Sequence, residues 1–390
     1  MRDLRHLLVY TAIVLAIIAV ISIGFVLFPD FRFSWQSKAP EEPQVNGSEI
    51  MSGVAEFISS AWRPDGTFAD YYQCTKNDMV CKPLLNESAY AGGHAIAYLL
   101  RYAEATGLTL YRYKADAAME KALSACEIDV NECERNFFAL AAYYDVTKEK
   151  RYLEALEKGI QALPQNVTYS TVEEVFPLVV SDHMNKLALL YEYTGKQAYY
   201  DAADAVARAV ALQGLNEYGG VDLYYANGSA VKVRAPLFAA SILTPAYKIT
   251  KNETYKKAID SIFLDTDIGS HADAFFSTVT PLQNMRLTVA GLIEMADVET
   301  DPAKKRSYDN AADSMMVLIV KNRLDSPLRP IFDGTNNFVT GWINEIKRPE
   351  DVSYLEVNLK STYENALIAT LLLEGGYRDH ELLLDSFGER

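Results

Sequence analysis

Beyond residue 46, apolar positions recur at three- and four-residue spacing, as in Leu187, Leu190, Tyr191 and Thr194, with polar residues filling the turns between. The pattern predicts twelve helices in six outer/inner pairs. The outer helices are expected at 47–62, 110–126, 149–162, 197–213, 252–264 and 301–322. The inner ones are expected at 87–106, 132–146, 172–194, 233–250, 279–297 and 359–374. Start signals support them: Asn131/Glu134, Thr171/Glu174 and Ser361/Glu364 have capping-box spacing, and Asp301 stands before a first-turn proline, Pro302.

The connections are unequal. Inner helices pass to the next outer helix through short turns: Thr106-Gly107-Leu108, Val146-Thr147-Lys148, Thr194-Gly195-Lys196, Thr250-Lys251-Asn252 and Val298-Glu299-Thr300. Outer helices pass to inner ones mostly through long loops, at 63–86, 214–232, 265–278 and 323–358, with shorter ones at 127–131 and 163–171. A hairpin recurring six times is a repeat architecture. If the hairpins close in a ring, the long loops gather at the inner-helix N-termini, and long loops in a compact domain are usually functional or disordered. These loops are rich in Trp, Tyr, Phe and Asp. One stretch, Tyr218 to Tyr225, reads as an arm of a hairpin closed at Asn227-Gly228, with Asp222 and Tyr224 on one face.

The run Leu189-Leu190-Tyr191-Glu192-Tyr193-Thr194-Gly195-Lys196-Gln197-Ala198-Tyr199-Tyr200-Asp201-Ala202-Ala203 resembles the hairpin unit of the six-hairpin glycosidase superfamily. Looser copies stand at Tyr102–Tyr111, Tyr143–Tyr152 and Tyr247–Tyr255, so the likeness spans most of residues 46–390. It implies an all-α (α/α)6 toroid with short β-hairpin elements on one face. The superfamily holds hydrolases, lyases, epimerases and non-catalytic members, commonly with a sugar at the inner-helix N-termini. No catalytic motif of one family is legible, so the resemblance transfers no catalytic residue.

With 49% hydrophobic residues among 390, the chain can bury one large core. Its net charge of −15 argues against nucleic acid, whose phosphates need a basic footprint. Residues 7–28 are uncharged and apolar over a length that crosses a bilayer core. A cleaved signal would have a shorter apolar stretch and a small-residue cleavage site, and Phe28-Pro29-Asp30-Phe31 offers none. The expected organisation is a cytoplasmic tail at 1–6, a transmembrane signal-anchor at 7–28, a stiff linker at 29–45 and an extracellular toroid at 46–390.

Charge flanking the span hardly sets its direction, but two other features do. Five Asn-x-Ser/Thr sequons start at Asn46, Asn86, Asn166, Asn227 and Asn252, in expected loops or helix starts that would admit glycans. Four cysteines form two local pairs, Cys74/Cys81 and Cys126/Cys133, as disulfides in an oxidising compartment do. Three connectivities are possible, and the local one is expected. Zinc would need closer cysteines or adjacent histidines, so neither a metal nor a cofactor is expected.

Glycosidic cleavage needs one carboxyl to protonate the leaving oxygen and another acting on the far side, beside aromatic platforms for sugar faces. The catalytic candidates are Asp70, Asp182, Asp222, Asp333, Glu345 and His94. The substrate-binding candidates are Trp62, Tyr72, Tyr90, Tyr224, Trp342 and Tyr363, with Arg234 and Arg286 able to hold a uronate carboxylate. Asp65, in Arg63-Pro64-Asp65-Gly66, reads as a turn residue, and Glu174 and Glu364 as caps. Asp182 and His183 are adjacent on a helix, so at most one faces the lumen. His271 and Asp273 lack a third ligand for a metal.

Three functions fit. One is a membrane-anchored extracellular hydrolase acting through two carboxylates on an oligo- or polysaccharide. Another is a uronate lyase or epimerase in which His94, Tyr90, Tyr363 or His183 moves a proton beside a clamped carboxylate. The last is a non-catalytic glycan-binding or scaffold protein.

Overall fold

A computed structural model of the chain describes residues 45–69, 71–75, 80–83, 91–160, 177–211, 223–224, 230–231, 236–263, 279–321, 326–328, 337–339, 345–347, 357–375 and 381–382. These belong to one unit, Val45–Leu384. Its outer helices are α1 (Gly47–Ala61), α3 (Thr109–Ile128), α6 (Lys150–Ile160), α8 (Gln197–Ala209), α10 (Glu253–Phe263) and α12 (Pro302–Lys321). The inner helices are α2 (Ala91–Thr106), α5 (Phe137–Thr147), α7 (Pro177–Thr194), α9 (Pro236–Thr250), α11 (Leu282–Val298) and α13 (Thr362–Glu374). A short helix α4 (Val130–Arg135) precedes α5.

The hairpins share one turn. Thr106, Thr147, Thr194 and Thr250 each donate a hydroxyl back to the carbonyl four residues earlier and accept the backbone N–H two residues later. A left-handed residue lies within each turn: Gly107 (φ 73°), Lys148 (φ 57°), Gly195 (φ 64°) and Lys251 (φ 54°). The fifth turn has no such threonine. There the buried Glu299 accepts the backbone N–H of Thr300 and of Asp301 and pairs with Lys256. Asp301 then caps α12 through the N–H of Ala303, beside Pro302 as the sequence predicts.

Packing closes the ring. Helix α2 packs on α5, α7 on α9, α9 on α11, α11 on α13, and α13 back on α2. Helices α5 and α7 meet where Lys186 lies over the Phe137 ring. Outside, α3 packs on α2, α6 on α5, α8 on α7, α10 on α9, α12 on α11 and α1 on α13. Tyrosines stitch the layers, since Tyr98, Tyr143, Tyr255 and Tyr308 are fully buried. A buried hydroxyl without a partner costs about 1–3 kcal/mol. Here Tyr98 donates to the Met51 carbonyl, and Tyr143, Tyr255 and Tyr308 to Asp116, Asp204 and Asp260. The last two bonds each tie an outer helix to the preceding outer one.

Most strands lie in the connections that lead from outer to inner helices. A five-stranded sheet has the order β10 (Val357–Ser361), β2 (Tyr71–Thr75), β3 (Val80–Pro83), β7 (Ser326–Leu328) and β8 (Asn337–Val339), antiparallel except for β3 beside β7. Strand β6 (Val279–Pro281) pairs with β9 (Glu345–Lys347), and β4 (Leu223–Tyr224) with β5 (Ala230–Val231). The latter pairing flanks Asn227-Gly228, which lies outside the described residues, as does most of the expected arm from Tyr218. Strand β1 (Val45–Asn46) pairs with β11 (Glu381–Leu382), joining the two ends of the unit.

The structure corrects several expectations. Residues 279–281 and 357–361 are strands leading into inner helices rather than first helical turns. The loop strands form a sheet and not isolated hairpins, because β2 and β10 pair across nearly the whole chain, which local periodicity does not register. The second inner helix is broken at Asn136 into α4 and α5. Its cap is Asp129, whose carboxylate accepts the Asn131 N–H, so Asn131 and Glu134 form no capping box. Helix α13 starts at Thr362, which leaves Ser361 and Glu364 at the positions the capping box requires. The proposed span 7–28, the linker and the Thr171/Glu174 box lie outside the described residues. Among the described residues, no helix is long and apolar enough to cross a membrane.

Candidate functional site

The break at Asn136 builds one side of the site. Helix α4 ends there, and the Asn136 amide donates to the Glu132 carbonyl. A Cβ on Gly93 would stand 2.7 Å from the Arg135 carbonyl oxygen and 3.1 Å from the Asn136 Cα. Only glycine permits that approach, and it lets the start of α2 lie against the α4–α5 junction. The next residue, His94, then stacks on Phe138 with ring centroids 4.8 Å apart. Both rings are half-buried, so the starts of two neighbouring inner helices present a partly open aromatic surface.

Helix α7 supplies the charge. Lys186, only 3% exposed, holds Asp182 Oδ2 at 2.6 Å one turn earlier and Glu134 Oε1 at 2.5 Å on α4. Its ammonium also lies 5.8 Å and 6.0 Å from the ring centroids of Phe137 and Phe138. Burial disfavours the ammonium, but the charges of Asp182 and Glu134 outweigh it and keep Lys186 above its ordinary value. Because both carboxylates bind one nitrogen, their bound oxygens are no more than about 5 Å apart. Asp182 is the open member, 38% exposed, and Glu134 is turned inward at 17%.

His183 points elsewhere, as the helical offset from Asp182 requires. It is buried, and its Nδ1 has no hydrogen-bond partner among the described residues. Burial first, then the Lys186 charge, lowers its pKa to about 4, against an opposing pull from Glu134. A neutral, enclosed imidazole is unsuited to exchanging protons with a ligand.

The opposite end of the inner ring is polar too. Arg101 on α2 pairs with Glu374 on α13 and faces Asp145 on α5, which accepts the Tyr193 hydroxyl of α7. Lys248 on α9 binds Glu192 on α7 at 3.0 Å. On α11, burial raises Glu294 to about 7, with Lys248 pulling down and Glu192 and Asp297 pushing up.

Other expected site residues are distributed around the loop-bearing rim. Trp62, at the end of α1, bridges to Phe68 and has the ammonium of Lys114, from outer helix α3, 5.4 Å from its ring. That contact turns it toward the outer layer. Asp65 is the turn residue it resembles: its carboxylate accepts the N–H and hydroxyl of Thr67, beside Gly66 at φ 82°. Tyr72 lies in β2 opposite Lys360, Tyr224 in β4 opposite Ala230, and Glu345 in β9 opposite Pro281, one residue before α11. Arg286 lies near the start of α11, and Tyr363 is the second residue of α13. Asp70, Tyr90, Asp222, Arg234, Asp333, Trp342, His271 and Asp273 lie outside the described residues. The flanks of Asp70 are nonetheless tied to the start of α13: Thr362 donates to the Ala69 carbonyl at 2.7 Å, and Tyr71 pairs with Ser361.

Cys126 and Cys133 form a disulfide, as the local pairing anticipates. Cys74 and Cys81 stand opposite each other across β2 and β3, a register close enough for a second one. Of the sequons, Asn252 sits in a turn on the plain face, accepting the Thr254 N–H, and Asn46 lies in β1. Asn86, Asn166 and Asn227 fall outside the described residues. Among the described residues, no group of three or more His, Cys, Asp or Glu could hold a metal ion.

Sequence reasoning missed Lys186, Phe138 and the inward role of Glu134. One signal was available: Asp182 and Lys186 have the i, i+4 spacing of a helical ion pair. The contacts with α4 and α2 were invisible, since they depend on the break at Asn136.

No family model and no curated protein matches the chain by sequence. Solved structures do match it by fold. An unsaturated glucuronyl hydrolase specific for heparin superposes with a TM-score of 0.59 at 13% identity, over 86% of this chain and 98% of that one. The unsaturated glucuronyl hydrolase of Streptococcus agalactiae gives 0.57 at 14%, over 88% and 95%. An inactive variant of the α-1,6-mannanase of Salegentibacter sp. HEL1_6, in complex with α-1,6-mannotriose, gives 0.57 at 12%, over 86% and 100%. These are six-hairpin toroids, so the fold expected from the hairpin phrase is the fold observed. At such identities the likeness carries architecture alone.

Proposed function

We propose that the chain is a carbohydrate-active enzyme, a glycoside hydrolase whose working carboxylate on the third inner helix is Asp182. The observation that carries this reading is the asymmetry of the Asp182–Lys186–Glu134 group: a buried cation, an acid turned inward, and one acid left open beside the His94–Phe138 surface. The inner-helix N-termini add the positive ends of helix dipoles, which favour oxygen-rich ligands.

In this reading a sugar ring rests on Phe138 and His94. Asp182 acts on one side of the glycosidic bond, as nucleophile or as base toward water. A second carboxyl must protonate the leaving oxygen from the other side. Glu345, in β9 opposite the Pro281 that leads into α11, is one proposed source, and Asp70, Asp222 and Asp333, outside the described residues, are the others. The similarity to hydrolases crystallised with or named for oligosaccharide substrates supports the class. The lyase or epimerase alternative loses one of its candidates, because His183 is enclosed and neutral, and would rest on His94, Tyr90 or Tyr363.

The location belongs to the same proposal. Residues 7–28 anchor the chain, 29–45 form the linker, and the toroid stands outside the cell, where its disulfide persists. Protease added to intact cells should then remove the toroid and leave a short membrane stub, whereas full protection would reverse the topology.

The chemistry is tested by incubating the full chain with a panel of neutral oligosaccharides, α-1,6-mannan fragments among them, and of unsaturated glucuronides. Release of reducing sugar is expected from one class. Asp182→Asn should lower kcat by about 10²–10⁴-fold with the circular dichroism unchanged. Wild-type turnover in Asp182→Asn would remove that residue from the chemistry, and tight binding without turnover by the wild type would favour a glycan-binding scaffold.

A further inference from the structure

We propose that Lys186 is a positioning residue, which fixes Asp182 at the site from within the core and is itself placed by Glu134 from the clamped helix α4. The inference rests on the reading of Asp182 as the working carboxylate.

A buried ammonium is costly unless it is paired and hydrogen-bonded. Lys186 meets that condition with two acids from different elements, Asp182 one turn away on α7 and Glu134 across on α4. The first bond selects one side-chain direction for Asp182 out of those open to a half-exposed aspartate. The second stops Lys186 from following Asp182 outward.

Helix α4 is held as an anchor should be. The Cys126–Cys133 disulfide ties it to the end of α3, at the residue before Glu134. On α6, a Cβ at Gly159 would stand 3.0 Å from the Cys133 carbonyl carbon and the Glu134 nitrogen, so the two backbones are in contact. Gly93 presses the start of α2 against Arg135 and Asn136. Three elements thus converge on the backbone that carries Glu134. A surface ion pair would need none of them.

Charge gives the test its sign. With Lys186 present, two acids share one cation. Removing the cation leaves two carboxylates within about 5 Å and raises the proton affinity of the pair, whereas removing Glu134 leaves Asp182 with the undivided cation and lowers its own.

The experiment is the pH profile of kcat/KM for the full chain on the oligosaccharide it turns over. Lys186→Met should move the acidic limb up by about 1 unit or more, since an opposite charge at this distance shifts a carboxyl by about 1–3 units. Glu134→Gln should move it down, Lys186→Arg should leave it near the wild type, and Lys186→Met/Glu134→Gln should bring it back toward the wild type. A merely structural lysine predicts lost protein or lost rate with an unmoved ¹³C titration of the Asp182 carboxyl, the readout that separates Asp182 from the neighbouring His183, whose imidazole the same two charges shift in the same directions. An unmoved limb in folded Lys186→Met, or the same direction of shift in both single variants, overturns the proposal. If Lys186→Met does not fold, Glu134→Gln decides: a downward shift supports positioning and no shift overturns it. If the wild type turns over no glycan, the hydrolase reading fails alone. The ¹³C titration of the Asp182 carboxyl in the same full-length variants then tests the positioning, with the same opposite shifts expected and coincident titrations overturning it.

Discussion

His94 and Phe138 stack with their centroids 4.8 Å apart, joining the first turns of two inner helices that are adjacent in space although 44 positions separate the two residues. The contact exists because Gly93 lets α2 touch the α4–α5 junction. If this surface supports a sugar ring, Phe138→Ala removes half of it while leaving Asp182 in place. KM should rise by about 3- to 10-fold, the worth of one aromatic contact, with kcat changed far less. Steady-state kinetics check this, and an unchanged KM would move the sugar elsewhere on the rim.

His183 predicts a pH-dependent loss of stability. Its folded pKa of about 4 is below the ordinary histidine value of 6.5, so the unfolded chain binds the extra proton first. The contribution is present above pH 6.5 and is lost as pH falls toward 4, at most about 3 kcal/mol. Thermal unfolding of His183→Gln should be flatter than wild type across that window. Parallel profiles would mean that His183 is protonated inside the fold.

Glu294 predicts the opposite slope. Its folded pKa is raised to about 7 from 4.5, so the folded chain keeps a proton that the unfolded chain releases. The contribution is complete below pH 4.5 and is lost as pH rises through 7. Glu294→Gln should therefore gain stability relative to wild type at pH 8 and differ little at pH 4. Equal differences at both pH values would show that Glu294 does not titrate in this window.

What was legible in the chain was whatever local periodicity writes down. Thr194-Gly195-Lys196 announces a turn because its threonine and its left-handed glycine act within a few residues, and Thr250-Lys251-Asn252 repeats the geometry with a lysine. The β4–β5 pairing and the disulfide at Cys126 are local in the same sense. The site is not. Glu134 reads as a cap from its spacing, yet it reaches Lys186, 52 residues later, because Asn136 breaks the helix. The Thr362 hydroxyl finds Ala69 across 293 positions. Asp182 was named for its residue type and place, but the lysine behind it requires knowledge of which helices face each other.

The Cys126–Cys133 disulfide predicts a local, measurable loosening when it is removed. It closes only a short loop, so the entropic gain is about 2–3 kcal/mol in the chain-entropy model. Both cysteines are buried, which protects the bond from mild reductant in the folded state. Non-reducing peptide mapping should yield one cross-linked peptide holding Cys126 and Cys133, and the cross-strand register of β2 and β3 predicts another holding Cys74 and Cys81. Cys126→Ser/Cys133→Ser should lower the unfolding free energy by about that amount. Hydrogen exchange should rise first in α4 and at the start of α5, because that segment loses its covalent tie to α3 while Gly93 and Gly159 still hold its other sides. Faster exchange spread evenly over the outer helices would instead mean that the bond stabilises the ring as a whole, and free thiols at all four positions would place the domain in a reducing compartment.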